Sequence, residues 1–572
     1  MTCLSYRSIR RMSAHFCTIA PKAAVVSEEM LASVAGLDVL RRGGNAADAA
    51  LAMAACMQVL QPYATGIGGD CFAVHYDART KNVRCVDGCG RSPAALTLEM
   101  VESKSSYDWT SERYMYGLQA TVPGAAKAWF HIATRFGSGK LSMKDLLAPA
   151  IRYAENGFPM DHVKQGSWQT MHNGLKRLPG GRYFLNEDHN VPPLGQILVN
   201  RPLATLLKRL GQEGPQVVYK GCVAEGIVDA VRRAGGVLSI EDLSDHMEST
   251  EPLETEPAST TYRGEIAVHT TTLPTQGAVL LETLNILNMF DLKDLKQIPG
   301  QFEHVVIEAL RHAIADGLRY VGDPRTGGLL DEMLLHQRAR NIATMVKFDR
   351  RTETVYPEAA LPLENLGTTF VAAADEAGNV CGLIGSLSHY FGCAVVEEHG
   401  FAVQRRGAAF NRVPGHPNCF GPRKKPYHSL MPVMVTDACS RDWLCTMGSM
   451  GGLIQTSVLA QVLLNMVELG LDPQQSLSRP RFLVGGAMSV HPDSPVILEP
   501  SFALEAQMTL RRRGHALSIN HENLRFHHAG HANILARATH WWSKEQANQQ
   551  PNPNGSIWCG AEPRTNSVAL GY

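Results

Sequence analysis

The chain has 572 residues, a formal charge of zero and 44% hydrophobic residues. Its 54 basic and 54 acidic residues leave no charge excess of the kind that binds nucleic acid. No apolar run reaches the length of a membrane span, so the composition predicts a soluble globular protein without a membrane partner. The 13 cysteines form no C-x-x-C pair, which favours reduced thiols in a cytoplasmic compartment.

The N-terminal segment differs from the rest of the chain. Residues 1–27 contain four basic residues and no acidic residue, which is typical of a mitochondrial transit peptide. A poorly ordered extension over residues 1–22 has the same composition, and we favour that interpretation over import. Ordered structure is therefore expected to begin near Ala23.

Helices dominate the predicted elements of the first part. Apolar spacing predicts a helix around residues 31–39, ended by Gly43-Gly44. Asn45 is placed to cap the next helix, a buried one over residues 46–60. Further helices are predicted near residues 123–129, 146–155 and 305–320.

A tight glycine loop, Gly66-Ile67-Gly68-Gly69, precedes a strand-like run at residues 71–76. A phosphate-binding loop would continue with Gly-Lys-Ser/Thr and lead into a helix. Neither feature is present, so the sequence predicts no nucleotide and no other cofactor.

The second part is strand-rich and begins at a candidate nucleophile, Thr368, which follows Gly367 and a polar, proline-containing stretch over residues 349–364. If the Gly367–Thr368 bond were cut, Thr368 would gain an α-amine with a pKa of about 7.7–8.0. That amine could accept the proton of the threonine's own hydroxyl, so one residue would supply both nucleophile and base. Taken alone, Thr-Thr before an apolar run is also an ordinary strand start.

Two rival sites are weaker. Ser449 lacks the first glycine of a Gly-x-Ser-x-Gly elbow because Met447 occupies that position, so a serine hydrolase is not favoured. His527, His528 and His531 include a spacing that could bind a metal. Since the sequence places no fourth ligand, we favour a structural role for these histidines and predict no metal site.

Several segments, taken in order, resemble the γ-glutamyltranspeptidase family. Each motif is weak alone, but the ordered set covers nearly the whole chain from about residue 23, and it favours Thr368 as a nucleophile. The motifs are Gly43-Gly44-Asn45-Ala46-Ala47-Asp48-Ala49-Ala50, Gly66-Ile67-Gly68-Gly69, Val122-Pro123-Gly124, Pro149-Ala150-Ile151, Glu155-Asn156-Gly157-Phe158, Asp316, Asp323-Pro324, Thr368-Thr369, Phe391-Gly392, Ser429-Leu430-Met431-Pro432, Gly451-Gly452 and Pro563-Arg564 with Gly571-Tyr572.

The resemblance implies an α/β fold, the four-layer αββα sandwich of the N-terminal-nucleophile hydrolases. It implies a precursor that cuts itself into a large subunit, ordered over residues 23–367, and a small subunit, residues 368–572. The two subunits would stay together, and the mature protein could form a homo-oligomer. Thr368 would be the nucleophile, Ser386 the second hydroxyl that orients it, and Gly451 and Gly452 the backbone donors that stabilise the oxyanion.

The substrate side departs from the family pattern. Typical members bind the γ-glutamyl carboxylate with an arginine, whose place Cys89 takes here, with Arg91 two positions on. Gln and Asp, which hold the ammonium group, are replaced by Arg406 and Ala409. His428 and Ser429 stand where typical members have a Ser-Ser pair. Ser388 stands where asparagine is usual, and Asn411 is a further polar candidate.

These replacements predict a change of substrate. An ammonium group needs acceptors, whereas a carboxylate suits a guanidinium fork. The pattern resembles the divergent branch of glutathione-hydrolase-like proteins and oxamate amidohydrolases, so we predict hydrolysis of a small amide that carries a carboxylate. Arg91 and Arg406 could equally be structural. The alternatives are a glutathione hydrolase or γ-glutamyltransferase, and an uncleaved scaffold without activity.

Overall fold

The computed structural model describes residues 16–103, 116–353, 355, 361–362, 367–485, 489–519, 530–537 and 555–572. Most of the described helices precede residue 367. They are Met30–Arg41, Ala46–Leu60, Leu98–Ser103, Ala125–Phe136, Met143–Asn156, His162–Thr170, His172–Arg177, Arg201–Glu213, Gln216–Tyr219, Gly221–Arg233, Ile240–Glu248, Gly277–Leu287, Gln301–Tyr320, Leu330–Leu334 and His336–Met345, followed by Gln455–Val467, Pro473–Ser478 and Leu504–Arg512.

Two seven-stranded antiparallel sheets form the centre of the molecule. The first sheet has the strand order Val568–Gly571, Ala24–Ser27, Gly367–Ala374, Val380–Ser388, Asp70–Asp77, Asn82–Gly88, Glu254–Thr255. The second has the order Thr18–Ala20, Ile557–Gly560, His531–Arg537, Trp443–Met450, Val433–Asp437, Ile266–Thr270, Ala258–Tyr262. The shorter pairings are Leu361–Pro362 with Ser489–Val490, Ala394–Val396 with Phe401–Val403, Phe158–Pro159 with Ile197–Leu198, and Phe482–Leu483 with Val496–Leu498 and Leu517–Ile519.

The sheets stack between two helical layers, because side chains alternate along each strand. In the strand Gly367–Ala374, Phe370 packs between the sheets with Phe72 and Trp443, while Val371 faces the helix Ala46–Leu60. Helices Gly277–Leu287, Gln301–Tyr320 and Gln455–Val467 cover the outer face of the second sheet. The predicted αββα sandwich is therefore confirmed.

The buried helix predicted from the sequence begins and ends where expected, at Ala46–Leu60, and all its residues are buried. Asn45 accepts a hydrogen bond from the Asp48 backbone, and the Asp48 side chain accepts one from the Asn45 backbone. This capping box satisfies two N–H groups that a helix start otherwise leaves unpaired.

The predicted extension over residues 1–22 is too long. Thr18–Ala20 is an edge strand of the second sheet, in which Thr18 pairs with Cys559. The segment is short and is held by backbone pairing to a strand from the far end of the chain, a contact that local composition does not encode. Residues 1–15 lie outside the described part of the chain.

The division into a helix-rich first part and a strand-rich second part holds along the sequence but not in space. Strands Ala24–Ser27 and Asp70–Asp77, from the first part, pair with Gly367–Ala374 and Val380–Ser388, from the second. His527, His528 and the polar stretch at residues 543–554 lie outside the described residues. Within the described residues, no helix combines the length and hydropathy needed to cross a membrane.

Candidate active site

Thr368 lies near the start of a central strand of the first sheet. It is 2% exposed, and its register partner in the neighbouring strand is Ser386. The register shifts between Gly367 and Thr368, and Thr368 Oγ lies 3.2 Å from Ser386 Oγ. The predicted nucleophile and the predicted second hydroxyl are thus in contact.

The Ser386 hydroxyl joins four groups. It donates to the Gly367 carbonyl oxygen in a short hydrogen bond. It accepts from the Ser388 backbone N–H at 2.8 Å and from Arg406 Nη2 at 2.9 Å. Because a hydroxyl donates once and accepts twice, these three contacts use its capacity, and the contact with Thr368 is the longest of the four. In the uncut chain, Ser386 therefore polarises the carbonyl that precedes Thr368.

The guanidinium of Arg406 lies beside this hydroxyl, in a short helical turn over Arg406–Ala409. Its side chain is among the largest fully buried ones, and Nη1 donates to Ser429 Oγ at 3.1 Å. Three of the predicted substrate-binding residues, Ser388, Arg406 and Ser429, therefore lie around Ser386.

His428 contacts the site through Asp70. The backbone N–H of Leu430 donates to His428 Nδ1 at 3.2 Å, so this nitrogen carries no proton. Nε2 therefore carries the proton, and it donates to Asp70 Oδ2 at 3.2 Å. Asp70 is in turn the register partner of Ser386.

Asp70 connects separate segments of the chain. Its Oδ1 accepts from the backbone of Gly90 at 3.0 Å, from the backbone of Gly124 at 3.1 Å and from Gln404 Nε2 at 2.8 Å. Gln404 stands two residues before Arg406, so Asp70 holds the chain that carries the arginine. The carboxyl group is fully buried and lies near the guanidinium of Arg406.

Burial and Arg406 set the charges around Ser386. Burial raises the pKa of Asp70, while the Gly90 N–H and the charge of Arg406 act against this rise. Burial, together with the charge of Arg406, lowers the pKa of His428 well below its usual value. His389 is affected in the same way: burial and the charges of Arg405 and Arg406 lower its pKa. Both imidazoles are therefore neutral at pH 7, and Arg406 supplies positive charge beside the hydroxyls.

Gly451 and Gly452 follow the strand Trp443–Met450 and precede the helix Gln455–Val467. Their φ angles are 138° and 54°, a region that favours glycine. Gln276 Nε2 donates both to the Gly452 carbonyl at 2.9 Å and to the Ser429 carbonyl at 2.7 Å. This side chain ties the glycine loop to the segment whose Ser429 hydroxyl contacts Arg406.

The glycine loop before Asp70 packs against the same site. A Cβ at Gly69 would lie 2.2 Å from the Ser386 carbonyl oxygen, and one at Gly68 would lie 2.0 Å from the Ala402 carbonyl oxygen. The loop that the sequence predicted as a tight turn therefore needs glycine for close backbone approach, of Gly69 to the strand that carries Ser386 and of Gly68 to the strand Phe401–Val403.

Arg91 and Asn411 are engaged elsewhere. Arg91 Nη1 donates to Asp323 at 2.6 Å and Nη2 to Glu251 at 2.7 Å, which favours the structural alternative for this arginine. Asn411 Nδ2 lies 2.7 Å from His416 Nδ1, and its Oδ1 accepts from the Val413 backbone. The asparagine thereby shapes its own loop.

A polar cavity of about 190 Å³ lies on the side of Arg91. Its lining includes Cys89, Lys127, His246 and Lys425. Cys89 is the residue that the sequence comparison placed where typical members have an arginine. Its Sγ lies within 4.8 Å of a carboxylate oxygen of Asp70 and of a ring nitrogen of His428. Those atoms already share hydrogen bonds within the protein, with Cys89 itself donating to the Gly90 carbonyl.

Sequence reasoning missed Asp70 and Gln276. Asp70 carried one signal, an acidic residue opening an apolar strand directly after a glycine loop. Its partners come from four distant segments, however, and no local pattern indicates them. Gln276 carried no signal, since its contacts are with two backbone carbonyls.

An αββα sandwich with a buried threonine at the start of a central strand is the architecture of the N-terminal-nucleophile hydrolases. The crystal structure of cephalosporin acylase from Bacillus halodurans has the same overall fold, with a TM-score of 0.84 and 30% identity over 98% of this chain and 97% of that one. The sequence model described as Gamma-glutamyltranspeptidase matches residues 32–553. The chain belongs to that family and is an enzyme of the N-terminal-nucleophile class.

Two relatives indicate the range of the family. The glutathione hydrolase-like YwrD proenzyme of Bacillus subtilis (strain 168) is 32% identical over 471 residues, which is 82% of this chain and 86% of that protein. The oxamate amidohydrolase proenzyme of Klebsiella pneumoniae is 27% identical over 562 residues, which is 98% of this chain and the whole of that protein. Both are proenzymes by name.

Proposed function

We propose that this protein cleaves itself between Gly367 and Thr368 and then hydrolyses a small amide that bears a carboxylate next to the amide carbonyl. The observation that carries the proposal is the position of Ser386 Oγ. It contacts the Gly367 carbonyl, Thr368 Oγ and Arg406 at once. The products of cleavage would be a large subunit, 1–367, and a small subunit, 368–572.

In the first reaction, Thr368 Oγ attacks the Gly367 carbonyl carbon, and the Ser386 hydroxyl stabilises the charge on the oxygen. The Gly367–Thr368 C–N bond then breaks as the acyl group moves to Thr368 Oγ, and the proton lost by the threonine hydroxyl passes to the nitrogen, leaving a free α-amine. Water hydrolyses the ester, which gives a carboxylate on Gly367 and restores the threonine hydroxyl.

In the second reaction, the α-amine of Thr368 accepts the hydroxyl proton as Oγ attacks the substrate amide. Backbone N–H groups of Gly451 and Gly452 are proposed to stabilise the oxyanion. The amine or ammonia leaves with the proton, and water hydrolyses the acyl ester on Thr368. Ser386 orients the nucleophile throughout.

The distance between nucleophile and guanidinium supports a short acyl group. Contacts of 3.2 and 2.9 Å to Ser386 Oγ limit the separation of Thr368 Oγ and Arg406 Nη2 to 6.1 Å. In an oxalyl group bound to Thr368, the carboxylate oxygen lies about 3 Å from Thr368 Oγ. A charge-assisted hydrogen bond from that oxygen to the guanidinium adds about 2.8 Å, so the sum fits within the limit. An extended γ-glutamyl group would need about 10 Å.

The charge beside the nucleophile supports the same substrate. Arg406 donates to hydroxyl oxygens of Ser386 and Ser429, and a substrate carboxylate would be a stronger acceptor for the same fork. His428 is neutral and its N–H is already donated to Asp70. This side of the site therefore favours a carboxylate over an ammonium group.

Glutathione hydrolysis or γ-glutamyl transfer is the second candidate. Its support comes from relatives, among them the glutathione hydrolase proenzyme of Bacillus subtilis, which is 29% identical over 487 residues. The third candidate, an uncleaved scaffold, is disfavoured by the contact between the Gly367 carbonyl and Ser386, which is the arrangement that cleavage requires.

A chain-length series tests the proposal. The substrates are oxamate, succinamate, glutaramate and glutathione, and the measurement is kcat/KM on the purified, cleaved protein. The proposal expects the value to be highest for oxamate and to fall as methylene groups are added. A clear preference for glutathione would establish the second candidate, and full-length protein without any turnover would establish the third.

A further inference from the structure

The chain approaches the Gly367–Thr368 bond through a segment that is held at several points, residues 347–353 and Val355. The segment lies between the helix Gln301–Tyr320, which precedes the bond in the sequence, and residues 491–515, which follow it. His304 Nε2 lies 2.7 Å from the Lys347 carbonyl oxygen, and the Arg351 backbone N–H donates to the Arg513 carbonyl at 2.7 Å.

Asp493 makes the contacts that reach furthest along this segment. Its Oδ1 accepts from Arg351 Nη2 at 2.6 Å and also from Arg311 Nη2. Its Oδ2 accepts from the Val355 backbone N–H at 3.3 Å. One carboxylate therefore holds a side chain and a backbone group that lie four residues apart in the approach to the bond.

Arg311 and Glu308 support Asp493 from the buried side. Arg311 is 1% exposed. Its Nη1 donates to Glu308 Oε1 at 2.6 Å and to the Thr352 carbonyl at 3.1 Å. Glu308 Oε2 accepts from the Thr352 backbone N–H at 2.8 Å. Both polar backbone groups of Thr352 are thus fixed by buried charges.

The same stretch of the second part contacts the segment again, closer to the bond. Leu361 and Pro362 pair antiparallel with Val490 and Ser489. Residues 489–493 therefore hold the approaching chain at Val355 and again at residues 361–362, five residues before Gly367.

We propose that Asp493 is a positioning residue for self-cleavage, which fixes the chain that presents the Gly367 carbonyl to Thr368. The proposal rests on the proposed cleavage between these two residues. Intramolecular attack depends steeply on how well the reacting groups are aligned. Removing the negative charge of Asp493 would loosen residues 351–355 while leaving the side chains around Ser386 in place.

The test compares the rate of cleavage with the properties of the cleaved enzyme. Wild type, Asp493→Asn and Arg351→Gln are pulse-labelled, and the full-length band is followed with time on denaturing gels. Glu468→Gln is the matched control, because Glu468 is a poorly exposed carboxylate that pairs instead with Tyr262 and Arg263. The melting temperature and kcat/KM of each cleaved protein are measured with the amide that wild type hydrolyses.

We expect Asp493→Asn to slow cleavage about tenfold, with kcat/KM per cleaved molecule within about twofold of wild type. Arg351→Gln, which removes a partly exposed partner, should slow cleavage less, and Glu468→Gln should leave it unchanged. Should Asp493→Asn fail to fold, Arg351→Gln must still slow cleavage for the proposal to stand.

Two results would overturn the proposal alone: a wild-type cleavage rate in both Asp493→Asn and Arg351→Gln, or a loss of kcat/KM and melting temperature as large as the loss of cleavage. The second result would indicate a general structural role. Wild type that never cleaves would instead overturn the proposed function together with this inference.

Discussion

Arg406 donates to the Ser386 hydroxyl across 2.9 Å, which places a guanidinium one hydroxyl away from Thr368, the proposed nucleophile. This relationship links maturation and specificity, because the same serine contacts the carbonyl before Thr368. It also divides the expected effects of substitution: changes at Thr368 should stop both reactions, and changes at Arg406 should mainly affect the substrate.

Thr368→Ala should remain full length and inactive, since it removes the hydroxyl that attacks in both reactions. Thr368→Ser should still cleave, because serine keeps that hydroxyl. Denaturing gels and N-terminal sequencing of the small subunit provide the measurement. Thr369→Ala is the control and should cleave normally; a new N-terminus at any residue other than Thr368 would refute the assignment.

Arg406→Gln should lower kcat/KM for oxamate by about 100-fold, since losing one partner of a buried charged pair typically costs about 2–5 kcal/mol. Self-cleavage should change far less, because the precursor contains no substrate carboxylate. Arg405→Gln is the control: Arg405 lies over the Tyr116 ring, 3.8 Å from its centroid. Equal losses in the two variants would argue against Arg406 as the carboxylate site.

Gly451→Val should reduce turnover by about 10²–10³ if an oxyanion donor is displaced, while self-cleavage should fall less because Ser386 contacts the Gly367 carbonyl. A Cβ at this position would lie 2.9 Å from Ile454 Cγ1, and the backbone has a φ of 138°. Gly327→Val separates strain from the site, since Gly327 also has positive φ, 103°, but open space around it. Normal turnover by cleaved Gly451→Val would mean that the oxyanion donors lie elsewhere.

His75 should make the fold sensitive to mild acid. It is 7% exposed and stacks on Phe136. Burial lowers its pKa to about 4, with the charge of Arg135 acting in the same direction and that of Asp77 against it. In the unfolded state the pKa of this histidine is about 6.5, so the unfolded chain binds the proton more readily than the fold does. Protonation of His75 therefore does not reduce the free energy of unfolding above pH 6.5, and reduces it progressively as the pH falls from 6.5 toward 4.

Relative to neutral pH, the protonation of His75 is expected to lower the free energy of unfolding by about 2 kcal/mol at pH 5. His75→Gln should remove that part of the pH dependence. The measurement is the difference in melting temperature between pH 7.5 and pH 5, in the Thr368→Ala background so that a single intact chain unfolds. An identical difference in both proteins would show that folding does not lower the pKa of His75.

The sequence alone determined the features that local chemistry encodes. Asn45 and Asp48 are three residues apart and form a cap by themselves, so the start of the helix Ala46–Leu60 could be predicted. The ordered motifs indicated the family, the sandwich and the importance of Thr368. The loss of Gln and Asp at the positions of Arg406 and Ala409 indicated a changed substrate site.

The tertiary structure decided which of the predicted polar residues share a site. Arg91 and Arg406 looked alike in the sequence, but folding brings Arg91 to Asp323 and Glu251 and brings Arg406 to Ser386. The role of Asp70 in the site could be recognised only from its hydrogen bonds to distant segments. Hydrogen bonds between separate segments of the chain depend on the register of the sheets, and a single sequence encodes that register through packing rather than through any local pattern.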